Sequence, residues 1–327
     1  MNQDEERHIG VHHGARELEN NVLLQSIPGL KDLYTTLDQF RSVAYNYNNP
    51  NYLNKEKDVK NGREKFNNNI SILANRGMGK SSALLTIIRE ITNGRLFVKE
   101  NYSENNIDII NPMIDPEDIQ SDILGWVIAS LSQRIDDMEN MLKKNSKLLF
   151  SLEQSPNDLL KELKEKKNKL ISCYSISGEE YNHVVLHRSV NINDYSRNLN
   201  DTLTNDYELH PAFEEFIDCL VDTKRQINRA FDNKPYEVDQ EPLIYFFFDD
   251  LDMSSKKSIK ILTDILSYFY HQNIVIFISG DYEVFENSIK TYFLNETKDI
   301  TLKMPDEEKS NEITLAGNRA EYFLKKV

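Results

Sequence analysis

The segment Ile70-Ser71-Ile72-Leu73-Ala74-Asn75-Arg76-Gly77-Met78-Gly79-Lys80-Ser81-Ser82 decides how this chain of 327 residues is read. Its apolar start, residues 70–74, reads as a buried strand. Residues 80–93 then place Leu84, Ile88 and Ile91 on one helical face, with Asn93-Gly94 as the stop. A strand that hands a glycine-rich turn to a helix N-terminus aims several backbone N–H groups at one point, where the helix dipole favours negative charge. Gly77 and Gly79 let the backbone curl without a Cβ clash. Lys80 adds a point charge aimed at phosphate, Ser81 a hydroxyl for a divalent cation, and Ser82 further donors. Asn75, Arg76, Gly77, Met78, Gly79, Lys80, Ser81 and Ser82 are therefore the expected phosphate-binding residues. The strict pattern begins with glycine where this chain has Ala74, which starts the turn. The relaxed pattern arises by chance in roughly 2–3% of chains this long at average composition, so the flanking strand and helix carry the inference.

A second motif supports the first. Residues 243–248 are six apolar residues in a row, as a strand covered on both faces requires. The run ends in Asp249-Asp250-Leu251-Asp252. Adjacent carboxylates repel unless a cation intervenes. Asp249 suits a metal held through water, and Asp250 suits polarising an attacking water. A third apolar run, residues 274–278, leads into Ser279-Gly280-Asp281. Either Asp281 or Ser279 can meet a terminal phosphate there, and Asp281 reads equally well as a helix N-cap. The site calls are Lys80, Asp250 and Asp281 as catalytic residues and Ser81 and Asp249 as metal ligands, with ATP and Mg2+ as cofactors.

Strands alternating with helices imply crossover units and a parallel sheet, hence an α/β fold with helices on both faces. Residues 1–68 read as an extension with a helix at 30–47. Residues 69–150 read as the first half of the core, with a strand at 107–110. Asp115 and Pro116 look like the cap and first residue of a helix reaching 144. Residues 151–240 read as a mostly helical insertion: charged helix at 159–170, little periodicity over 173–207, helix again from 210 to 231. Residues 241–327 complete the core, with Ser254 capping a helix to 270.

The formal net charge of -14 argues against broad nucleic-acid binding. Cys173 and Cys219 form no C-x-x-C pair, and the N-terminus lacks an apolar signal core, so a cytoplasmic location is expected, without a membrane span. His8, His12 and His13 read as a solvated tail rather than a metal site. Asn233-Lys234 is followed by Pro235-Tyr236, which breaks the guanine-reading motif of a GTPase.

The run Arg76 to Ser81, the Phe248-Asp249-Asp250-Leu251-Asp252 box, and Ile276 to Gly280 followed by Asp281-Tyr282-Glu283-Val284-Phe285 resemble the KAP and STAND branches of the AAA+-like P-loop ATPases. Walker A and Walker B are the names of the first two motifs there, and a paired Asp replaces the usual Asp-Glu. The resemblance covers about residues 69–130 and 241–327. It implies a central sheet in the order 5-1-4-3-2, Mg2+-dependent ATP hydrolysis, and assembly into homo-oligomeric rings or clusters. Many prokaryotic members, among them the ATPase subunit of the RADAR antiphage system, act in defence, which implies a partner effector enzyme. The alternative is a nucleotide-gated switch with little turnover that scaffolds such an effector. Arg76 and Arg319 are both open as arginine fingers. Members continue into a helical or winged-helix lid, which is expected beyond Val327.

Overall fold

The computed structural model describes residues 30–48, 66–93, 107–119, 122–144, 155–177, 192–232, 241–252, 255–296, 314–315, 317–319 and 321. His8, His12, His13, residues 233–236 and Ser254 lie outside them. The elements are α1 (Leu30–Asn48), β1 (Asn69–Leu73), α2 (Lys80–Thr92), β2 (Ile109–Ile114), α3 (Ile123–Lys144), α4 (Pro156–Ser177), α5 (Ile192–Asp232), β3 (Ile244–Phe248), α6 (Ser255–Tyr268), β4 (Ile274–Gly280) and α7 (Tyr282–Glu296).

All strand pairings are parallel, in the order β1-β4-β3-β2. That differs from the expected 5-1-4-3-2: among the described residues there is no fifth strand, and β1 is an edge. This position corrects the reading of β1 as buried. Ser71 and Leu73 are exposed, because a strand at a sheet edge is covered on fewer sides.

The central strands do bury both faces. Ile244, Phe246 and Phe248 of β3, with Ile274, Ile276 and Ile278 of β4, join one apolar cluster with α3, α4, α5, α6 and α7. Leu243, Tyr245, Phe247, Val275 and Phe277 join a second with α1 and α2. Phe247 and Phe277 stack at 5.0 Å between centroids. Helices therefore cover both faces, and period-two alternation sorts each strand's side chains between two cores.

Three boundaries differ from the sequence reading. β2 runs to Ile114, through Asn111-Pro112, rather than ending at residue 110. A proline fits because β2 is the other edge, and the register shifts between Ile110 and Met113. The Asn111 side chain bridges the irregularity, donating to the Tyr245 carbonyl at 3.0 Å and accepting from Ser130 at 2.7 Å. Asp115 caps a short 3-10 turn, Pro116–Asp118, accepting from the Glu117 amide at 2.9 Å, so the α-helix itself begins only at Ile123. In the insertion, α4 spans 22 residues and α5 spans 41, absorbing most of the stretch read as aperiodic, with Pro211 inside. Sparse apolar residues hid the start of α5. Among the described residues no helix is long and apolar enough to cross a membrane.

A buried ionic knot fastens the sheet edge where the strands begin. Arg41 of α1 donates to both carboxylate oxygens of Asp108, at 2.9 and 2.8 Å, and to the Glu241 carbonyl. Asp108 also accepts from the Leu243 amide at 2.9 Å. Arg225 of α5 grips the Glu241 carboxylate at 3.1 and 2.8 Å. Burial works against the Arg41 charge, yet Asp108 holds its pKa above the usual value. Truncating one member of such a pair leaves a buried charge alone. Arg41→Met is expected to destabilise the fold by about 3–5 kcal/mol, seen as a lower urea midpoint with an unchanged slope.

Asp264 of α6 supplies a pH test. Burial pushes its carboxyl up to about 6, with Lys260 pulling down and Asp122 pushing up. The folded state then holds a proton that the unfolded state has released, so stability falls as pH rises from about 4 through about 6. Asp264→Asn is expected to raise the thermal midpoint at pH 7 and to lose that gain below about pH 4.

Candidate functional site

The sheet's carboxyl edge gathers the motifs. The Ala74 amide, where β1 gives way to the turn, donates to the Gly280 carbonyl at the end of β4, 3.1 Å away. Asn75, Arg76, Gly77, Met78 and Gly79 are all exposed, Met78 to 73%. Gly77 and Gly79 have φ of 83° and 80°, a left-handed backbone costly for any residue with a Cβ. Gly79 is the N-cap of α2 and makes no side-chain cap hydrogen bond. The first-turn N–H groups of an α-helix have no carbonyl partner within the helix, and the glycine at this cap brings no side-chain acceptor of its own.

Lys80 is buried beneath this loop at 6% exposure. Its ammonium donates to the carbonyls of Ala74, at 2.9 Å, and Asn75, at 3.5 Å. Its charge also opposes the upward shift of the Asp250 carboxyl.

The pair follows β3. The Asp249 amide donates to the Ile114 carbonyl of β2 at 2.9 Å, and the Leu251 amide to the Ser279 carbonyl of β4 at 3.1 Å, so both neighbouring strands clamp the box. Asp249 is buried. Its Oδ1 accepts from the Asp250 amide at 3.1 Å and from the Ser279 hydroxyl. That hydroxyl accepts in turn from the Asp250 amide at 3.0 Å. Asp250 has φ of 46°, the one positive-φ residue other than glycine among those described. Burial, then the charges of Asp249 and Asp252, push its carboxyl above the ordinary carboxylate range; Lys80 opposes them and Asp115 adds to them. Asp252 Oδ1 is buried and has no hydrogen-bond partner.

Of the two polar residues at the end of β4, Ser279, still within the strand, is the one joined to the acidic pair. Asp281 caps α7, accepting from the amides of Glu283, at 3.0 Å, and Val284, at 3.4 Å. Arg319 is exposed. Two neighbours of the site were not read from the sequence. Asp115 looked like a cap and is one, but its charge also reaches Asp250. Lys257 of α6 donates to the Pro116, Glu117 and Ile119 carbonyls, at 3.4, 3.2 and 3.4 Å, and carried no pattern of its own.

Two clefts lie elsewhere, at the edge where the strands begin. One, of about 390 Å³, is lined by Asn48, Phe66, Arg225 and Gln272; the other, of about 330 Å³, by Asp108, Ile109 and Lys224. Burial draws the Lys224 ammonium down to about 8 against the pull of Asp108. Neither cleft holds the motif residues. Among the described residues no group of three or more His, Cys, Asp or Glu side chains is placed to hold a metal ion.

No protein-family model matches the chain, and no curated protein matches it.

Ser279→Ala removes a buried donor to Asp249 and an acceptor for the Asp250 amide. It is expected to cost about 1–3 kcal/mol of stability, read as a lowered unfolding midpoint.

Proposed function

We propose that this chain binds and hydrolyses ATP with Mg2+, as an oligomerising P-loop ATPase of the KAP/STAND/AAA+-like group. One arrangement carries the reading: a buried lysine under an exposed glycine turn, at a helix N-terminus capped by glycine, on the same carboxyl edge as an acidic pair that ends the central strand. Strand-to-turn-to-helix geometry of this kind suits a phosphate chain. The order β1-β4-β3-β2 is the one left when the outer strand is removed from 5-1-4-3-2.

Each residue then has a task. The amides of residues 75–82 and the Lys80 ammonium hold the β- and γ-phosphates. Ser81 and Asp249 would hold Mg2+, a hydroxyl and a carboxylate being the kind of sparse protein donor set that Mg2+ takes beside substrate phosphates. When bound, the cation supplies neutralisation of charge developing on the phosphates. Ser279 and the Asp250 amide orient the Asp249 carboxylate from two sides. Asp250 polarises the attacking water. Asp281, near the same edge, is the second candidate for sensing the terminal phosphate. Assembly into a ring or cluster, an effector partner, a cytoplasmic setting and a role in antiviral defence follow from the family resemblance.

Lys80→Ala is expected to abolish binding of a fluorescent ATP analogue. Asp250→Asn is expected to retain binding and lower multiple-turnover phosphate release by at least about 100-fold. Unchanged turnover in both variants overturns hydrolysis at this site. Retention of ATP by the unaltered oligomer with no phosphate release assigns the site to a nucleotide-gated switch.

A further inference from the structure

We propose that Met78 is an oxidation site of the glycine turn: two-electron oxidation of its thioether by a peroxide places a sulfoxide oxygen at the turn, where it competes with phosphate and weakens nucleotide binding. The proposal rests on the nucleotide reading of this turn and adds its regulation.

The turn puts the methionine where water reaches it. Residues 75–79 join β1 to α2, and all of them are exposed. Met78 is exposed to 73%. The other described methionines differ. Met138 is buried, and Met113 and Met141 are half-buried, each packed in or against an apolar cluster. Oxidation follows the access of oxidant to sulfur, which singles out Met78 among the four.

The backbone decides what an added oxygen meets. Met78 stands between two left-handed glycines, and its amide closes the turn by donating to the Asn75 carbonyl at 3.3 Å. A Cβ built on Gly77 or on Gly79 meets nothing within 4 Å, so the space around both is open. Gly79 is the N-cap of α2, and the helical ladder begins with the Ala83 amide on the Gly79 carbonyl, at 2.9 Å. N–H groups ahead of that bond have no carbonyl partner within the helix. The methionine side chain, with three rotatable bonds, is attached one residue before the cap.

Oxidation changes the chemistry of that side chain. With hydrogen peroxide, the sulfur lone pair takes one oxygen, the O–O bond breaks, and the other oxygen leaves as water with both hydrogens. Sulfur gives up two electrons and the peroxide takes them. A thioether is a weak acceptor. The sulfoxide is polar, with the negative end of its dipole on oxygen. That oxygen accepts from N–H donors of the kind a phosphate oxygen uses, and its partial charge opposes an anion beside it. Reductases specific for each sulfoxide epimer restore the thioether, so the change is reversible.

Peptide mass mapping of the full chain after brief treatment with hydrogen peroxide tests the proposal. It is paired with titration of a fluorescent ATP analogue and Mg2+ once the peroxide is removed. Met78 is expected to gain one oxygen at least about fivefold faster than Met138. Affinity for the analogue is expected to fall about tenfold as the Met78 sulfoxide accumulates, on the order of one hydrogen bond to a charged group. Both methionine sulfoxide reductases together are expected to restore it. In Met78→Leu, affinity is expected to be the same before and after peroxide, whatever its starting value. Unchanged affinity with Met78 converted to sulfoxide overturns the proposal and leaves the nucleotide reading standing. An equal loss in Met78→Leu also overturns it, as does slower oxidation of Met78 than of Met138. Absence of analogue binding before peroxide overturns both readings.

Discussion

A strand with large apolar side chains on both faces can exist only between two layers that keep water from each. β3 is that strand here, with every residue from Leu243 to Phe248 at or below 1% exposure. Its demand for cover explains why helices lie on both sides, why β4 beside it is equally buried, and why polar chemistry waits until the chain leaves the sheet. The transition is abrupt. Phe248 is inside the core and Asp249, the next residue, carries a carboxylate. At the other end of the same strand, Glu241 and Asp108 are held by arginines from α1 and α5. The two termini of β3 thus carry opposite solutions to the cost of charge near a core: full pairing at the start, and a charge surplus at the end.

That surplus sets the character of the carboxyl edge. The charges of Asp249, Asp252 and Asp115 push the Asp250 carboxyl up, and Lys80 is the cation that opposes them there. An acidic cluster of this kind is poorly suited to an anion alone and better suited to an anion that brings its own cation. The Ser279 hydroxyl joins the two halves of the pair, linking the strand that borders the glycine turn with the strand that carries the acids.

Much of this was legible in the sequence because local signals and global packing agree. The glycine turn, the apolar run ending in acids and the alternation of strands with helices each predict one arrangement, and the α/β parallel sheet has it. Legibility failed where tertiary context decides. Pro112 reads as a strand breaker, yet β2 is an edge and continues through it. Residues 70–74 read as buried, yet β1 stands at the other edge. The beginning of α5 carries too few apolar residues for a periodic signal, although the helix is continuous from Ile192. Ser279 and Asp281 were equivalent in sequence; two residues of strand length and one helix cap separate them in space. Among the described residues Lys257 donates to backbone carbonyls, and backbone partners leave no trace in a motif.

The left-handed turn at Asp250 bears on what substitutions can occupy that position. Asparagine and aspartate tolerate this backbone through short polar side chains, and glycine does so for want of one, whereas β-branched and bulky residues do not. Conformation and charge at residue 250 are therefore separable variables. An asparagine removes the negative charge and keeps the bend, while a valine would undo the bend together with the charge. Any drift of this position over descent is confined to a narrow alphabet by geometry alone, before chemistry exerts a further choice within it.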